Sequence, residues 1–331
     1  MGSYKVNVNT DVFGVEDCAS GRVSAKVLGT LQIRRGTEVL SAQHLGGPKS
    51  RQILEILLLH LGSAVSKGTL IDMLWMESAP STAVSTLESY VSVLRRCLQP
   101  GQGKRGVLKT TTGGYLLDAD LIDLDLARFD SLLTRAEQAT GEQAAALLRQ
   151  ALAISDEPLL GHELLPEWAE AERTLHAARV MAARVLAAET ALALGQLNEA
   201  IGLARQVLDL DPLNEPAWSV LILGMEQIRQ PLRGLQAYEQ CRRVMDRELG
   251  CQPGELLQQA QLRMLHETSS SNDDFALVIR ALLALEGSGG GVAVSPGMDR
   301  FDSYAGGEIT LNEAGTIVRG YVERMMTAAA V

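Results

Sequence analysis

The order of patterns between residues 22 and 122 constrains this 331-residue chain more than any other feature. Short β-prone runs come first, SAKVLGTLQIRRGTEVL, broken at Gly29 and Gly36. Three helical patterns follow. LGGPKSRQILEILLLHLG turns at Gly46-Gly47, starts its helix at Pro48 and stops at Gly62. KGTLIDMLW is capped by Ser66, and after a connection over residues 76–80 a third pattern enters at Ser81 or Thr82. VLKTTTGGYLLD then reads as a hairpin about Gly113-Gly114. A small antiparallel sheet turning near Arg35-Gly36, three helices and a hairpin within about 100 residues is the layout of a winged helix. That fold presents its third helix to the major groove of DNA, while the hairpin reaches the neighbouring backbone or minor groove.

The third pattern, STAVSTLESYVSVLRRCLQ over residues 81–99, supports this assignment from its own spacing. Leu87, Val91, Leu94 and Leu98 form one apolar stripe. Ser85, Ser89, Ser92 and Arg96 fall opposite, with Thr82, Glu88 and Val93 beside them. Glutamate and lysine are better helix formers than serine, so a solvated face has little reason to be serine-rich. Short hydroxyls suit a surface pressed against something polar; a plain amphipathic surface helix is the bland alternative. Against DNA, the hydroxyls can bond phosphates or bases, Glu88 can accept from a cytosine amino group, and Val93 can meet a thymine methyl. Arg95 and Arg96 supply guanidinium groups at the end of the helix. Lys49 and Arg51 sit where the start of the first helix can hold a phosphate, and Lys109, Thr111 and Thr112 lie in the hairpin.

The charge distribution agrees. The net charge of −10 argues against nucleic acid until it is divided: residues 22–122 hold 12 Lys or Arg against 7 Asp or Glu, whereas residues 123–331 hold 17 against 30. No apolar run is long enough to span a bilayer, and MGSYKVNVNTDV lacks the basic and apolar regions of a signal peptide, so a cytoplasmic, nucleoid-associated protein is expected. The dispersed His44, His60, His162, His176 and His266 have no metal-ligand spacing, and the four cysteines form no C-x-x-C pair. Gly46-Gly47-Pro48-Lys49-Ser50 resembles a phosphate loop only superficially, because Pro48 stands where that motif needs glycine and Gln43 where it needs its first glycine. With no nucleophile elbow or dinucleotide pattern either, the expectation is no enzyme, no cofactor and no metal.

Residues 123–268 are almost continuously helical by pattern, and equivalent turns at Gly195-Gln196 and Gln230-Pro231 lie 35 residues apart. That is close to the tetratricopeptide period and predicts stacked helix pairs. Pro166 is expected to break or kink a long helix. Trp75, Trp168 and Trp218 are expected in cores. Residues 1–21 read as a tail, and 269–331 as a linker and extension of unknown role. The fold class is therefore mainly α with a small β component: a winged helix-turn-helix domain over 22–122, then a tetratricopeptide-like all-α domain over 123–268.

LGGPKSRQILEILLLHLGSAVSKGTLIDMLW, TLESYVSVLRRCL and GGYLLDADLIDLDLARFDSLL together resemble the Streptomyces antibiotic regulatory protein (SARP) family, in one register over roughly residues 22–268. The resemblance implies an OmpR/PhoB-like winged helix followed by a bacterial transcriptional activation domain. It implies a homodimeric activator that binds direct repeats in double-stranded promoter DNA and controls an antibiotic gene cluster. It further implies that the connection bearing Met76, Glu77 and Ser78 faces RNA polymerase holoenzyme and its sigma factor. Val93 stands where the family usually carries arginine, and the wing lacks the family's usual arginine near its tip. Both departures point to a weaker backbone grip or a different target. Two rival readings stay open: a tetratricopeptide-type interaction scaffold whose winged helix does not bind DNA, and a regulator gated by a small molecule at residues 272–331.

Overall fold

The computed structural model describes residues 22–40, 44–101, 106–161 and 167–268. The chain forms two compact units, Met1–Val207 and Leu208–Val331. The readings of residues 1–21, Pro166 and residues 269–331 lie outside the described residues.

The first unit opens with β1 (Val23–Lys26), β2 (Gln32–Arg35) and β3 (Glu38–Leu40), an antiparallel meander in which Val23 faces Arg35 and Ile33 faces Leu40. Gly36, at φ +56°, makes the β2–β3 turn where the sequence placed it. The sheet is not purely antiparallel, however. A further strand, β7 (Ile122–Leu124), runs parallel to β1, giving the order β3-β2-β1-β7. Three residues with only Ile122 and Leu124 buried carry too little periodicity to be read ahead of the helix that follows them.

Between these strands lies the helical part of the winged helix. Helix α1 (Pro48–Leu59) starts from Gly46, whose φ of +85° turns the chain, and buries Ile53, Leu54, Ile56, Leu57 and Leu58. The two-residue strand β4 (Val65–Ser66) leads into α2 (Lys67–Trp75), where the Ser66 hydroxyl accepts from Thr69 N at 3.0 Å. A 3-10 turn over Met76–Ser78 leads to α3 (Ala83–Leu98). Strands β5 (Leu108–Thr111) and β6 (Gly114–Leu117) form the hairpin and join β4 in a second sheet, ordered β4-β6-β5. The turn is Thr112-Gly113, with Gly113 at φ +86°, one residue earlier than the glycine pair implied. Gly114 belongs to the strand, opposite Ser66 and Thr111, and a Cβ there would lie 2.2 Å from Val65 O.

Packing runs straight across the transition from winged helix to helical array. Asp125, the first residue of α4 (Asp125–Gln138), accepts from Val27 N and Leu28 N, ending β1 with a carboxylate. Beyond α5 (Gly141–Ile154), Gly29 N donates to Pro158 O and Leu160 N to Val27 O, so Leu159 and Leu160 enter the winged-helix core, with Trp168 packed against it. Helices α4 and α5 pair, and with α6 (Glu167–Ala193) they enclose Phe129, Leu132, Leu148, Ala151 and Val180. Helix α7 (Leu197–Leu210) follows Gly195, which turns at φ +74°.

The second unit contains α8 (Glu215–Gln227), α9 (Pro231–Leu249) and α10 over residues 255–268. Asn214 caps α8, and Trp218 is buried with its indole N–H donating to Pro212 O at 2.9 Å. Gly234 lets α9 approach α10 closely, since a Cβ there would meet Met264 Sδ at 2.3 Å.

Candidate nucleic-acid interface

Helix α3 is anchored by Ala83, Leu87, Val91, Leu94 and Leu98, all buried. Full burial of leucine or valine is worth roughly 1.5–3 kcal/mol each, so this seam fixes the rotation of the helix. At about 100° per residue, Ser85, Ser89, Ser92 and Arg96 point directly away from the seam, and all four are exposed, as the spacing predicts. The Ser85 hydroxyl donates to Thr82 O at 3.0 Å and that of Ser89 to Ser85 O at 2.9 Å. Their lone pairs stay outward. Arg96 makes no hydrogen bond or ion pair among the described residues, leaving its whole guanidinium fork available.

Two shoulders flank this line. On the wing side lie Val84, Glu88 and Arg95. Arg95 donates to Leu108 O at 3.2 Å and to Thr110 Oγ1 at 2.6 Å, and its guanidinium sits 5.8 Å from the Tyr115 ring centre. It braces α3 against strand β5. Lys67, at the start of α2, donates to Glu88 Oε1 at 2.6 Å and lies 5.9 Å from the Tyr115 ring centre. The bond to Glu88 raises the Lys67 ammonium above its ordinary value, and burial raises the Tyr115 phenol.

On the other shoulder, Val93 is half-buried against the turn before α1, with Cγ1 3.2 Å from the place a Cβ on Gly46 would occupy. Cys97 donates to His44 O on the same side, and Tyr90 stacks on Trp75 with ring centres 6.5 Å apart. The exposed apolar residue of α3 is instead Val84, at 50% exposure.

Most of the other expected contacts already have partners. Lys49 donates to Leu74 O and lies 5.9 Å from the Trp75 ring centre. Arg51 Nε is 3.8 Å from the buried Glu55 carboxylate. Lys109 pairs with Asp118, and that bond draws the Asp118 carboxyl below its usual range. Thr112 is exposed at the wing tip, and Thr111 is half-buried opposite Gly114. Helix α1 begins at Gly47-Pro48 without a side-chain cap, which leaves its first N–H groups unserved by a side chain. Met76, at φ +51°, and Ser78 are exposed in the 3-10 turn between α2 and α3. Lys67 and Val84 belong to this surface and were not singled out from the sequence. Val84 stands one helical turn before Glu88, which was the available signal.

Two family models match the chain: "Transcriptional regulatory protein, C terminal" over residues 42–117 and "Bacterial transcriptional activator domain" over residues 124–265. Regulatory protein AfsR of Streptomyces coelicolor is 33% identical over 263 residues, covering 76% of this chain and 25% of AfsR. The chain thus spans about a quarter of that relative's length. Regulatory protein DnrI of Streptomyces peucetius is 30% identical over 231 residues, covering 66% of this chain and 84% of DnrI. Among solved structures, Mycobacterium tuberculosis EmbR in complex with a low-affinity phosphopeptide superposes with a TM-score of 0.66 at 27% identity, covering 80% of this chain and 72% of that one. Carrying both modules and matching most of the length of DnrI, the chain belongs to the Streptomyces antibiotic regulatory protein family, which comprises transcriptional regulators and not enzymes.

Proposed function

We propose that this chain is a sequence-specific DNA-binding activator that binds direct repeats in promoter DNA as a homodimer and recruits RNA polymerase to an antibiotic gene cluster. The observation that carries this reading is the line of Ser85, Ser89, Ser92 and Arg96, exposed opposite the seam of the third helix of a winged helix. In this reading residues 22–122 read DNA, the helical residues 123–268 support dimerisation and activation, and the turn carrying Met76, Glu77 and Ser78 meets polymerase and sigma factor. The site of action is the nucleoid; among the described residues no helix is long and apolar enough to cross a membrane.

One observation favours the scaffold reading. Lys49, Lys67, Arg95 and Lys109 are all engaged within the protein, which lowers the number of cations ready for phosphates. Gel-shift titration of the full chain against duplexes from the intergenic DNA beside its own gene, across a salt series, separates the two. DNA reading predicts saturable binding to a discrete duplex. If Arg96 meets a phosphate, Arg96→Ala lowers the slope of log affinity against log salt by about 0.9; if it reads guanine, the same change relaxes preference at one position. Binding indifferent both to salt and to Arg96→Ala supports the scaffold.

A further inference from the structure

Two of the three serine hydroxyls on this face of α3 are left as hydrogen-bond acceptors. Ser85 and Ser89 direct their hydroxyl protons into the helix backbone, to Thr82 O and Ser85 O. Between them in sequence stands Glu88, half-exposed, and an ionised carboxylate has only acceptors. A carboxylate facing DNA is repelled by phosphates and has no partner on guanine N7 or O6 or on thymine O4, which are themselves acceptors. The major-groove donors are the amino groups of cytosine and adenine, and adenine sets an acceptor, N7, beside its amino group. Cytosine offers the donor alone.

Lys67 makes this arrangement workable. Its ammonium donates to Glu88 Oε1 at 2.6 Å from the start of a different helix, which fixes the carboxylate and leaves Oε2 for a further bond. The lysine charge also offsets the repulsion that an isolated glutamate would meet from the phosphates. Arg95 and Tyr115 hold this shoulder from the wing, so the pair rests on a braced surface.

Resting on the DNA-reading function proposed above, we infer that Glu88, positioned by Lys67, is a specificity-determining residue that reads the amino group of one cytosine in each half-site. The competing structural role is a surface ion pair that only ties α2 to α3.

Selection of the full-length protein on a random duplex library at fixed salt tests this, with wild type, Glu88→Ala, Glu88→Gln and Lys67→Met compared and each variant's fold checked by circular dichroism and thermal melting. The wild-type motif is expected to hold a cytosine that Glu88→Ala renders degenerate, with discrimination there falling about five- to a hundred-fold and the other positions unchanged. Glu88→Gln should move that one position toward adenine, and Lys67→Met should blunt it without touching the rest. Identical motifs for wild type and Glu88→Ala would overturn the inference while leaving DNA reading intact, as would a change confined to a position that is not cytosine. A folded wild type that enriches no motif overturns both.

Discussion

His176 is a buried imidazole, 5% exposed, whose two ring nitrogens have no hydrogen-bond partner among the described residues. It meets Phe129 edge-on at 5.1 Å. Burial holds its pKa below the ordinary 6.5, Arg179 on the same helix lowers it further, and Asp130 on α4 opposes them. Because the unfolded chain takes up the proton more readily, stability is fully present above pH 6.5 and is lost as pH falls through and below that value. Melting temperature followed over that range should show the decline in wild type and a shallower one in His176→Leu; equal slopes would remove His176 as the cause. The serine line was legible because periodicity alone decides which residues oppose a buried seam. The separate fates of Arg95 and Arg96 were not. Adjacent on the helix, they diverge by about 100°, and which one is captured depends on where Leu108 O and Thr110 are placed, a tertiary fact. Val93 was similarly hidden: its contact is a glycine turn 47 residues earlier in the chain.

At the scale of elements, the wing is held from below as well as from the side. Strand β4 pairs Val65 with Tyr115 and Ser66 with Gly114, and Lys67 N donates to Gly113 O, so the start of α2 and the wing share one small sheet. A side chain on Gly114 would drive into Val65 O and force β4 and β6 apart. Gly114→Val is therefore expected to cost about 1–3 kcal/mol, the usual range for overpacking, read as a lower urea midpoint. Gly113→Ala should instead show only the strain of a φ of +86°, since nothing lies within 4 Å of the added carbon. Comparable losses at the two positions would mean that the close approach of β4 is not what requires Gly114. The helices and the hairpin of this module were legible from capping residues and apolar spacing. Strand β7 and the segment over 155–161 were not, because each contributes only a few buried residues whose partners, on β1 for the strand and on residues 27–29 just after β1 for the segment, are far away in sequence.

For the whole molecule, the decisive quantity is how few surface cations near α3 remain unengaged among the described residues. A module whose Lys49, Lys67, Arg95 and Lys109 already have partners should bind a single half-site weakly, because nonspecific affinity scales with the phosphates neutralised. Specific occupancy then has to come from two copies acting together. When two modules are linked, binding of the second becomes intramolecular and the gain depends on geometry, since it vanishes if both sites cannot be engaged at once. Under the proposed homodimer on direct repeats, the two α3 helices must enter the same face of the duplex, about one helical turn apart. Inserting about half a turn, roughly five base pairs, between the repeats rotates one site to the opposite face and should reduce affinity to that of a single half-site. Inserting a full turn restores the facing and should recover part of the loss, limited by how far the dimer can stretch. Gel shifts on that duplex series, read beside the protein's mass in solution, test the arrangement. Affinity that ignores spacing would mean that each copy binds alone, and that the helical module serves a purpose other than pairing the readers.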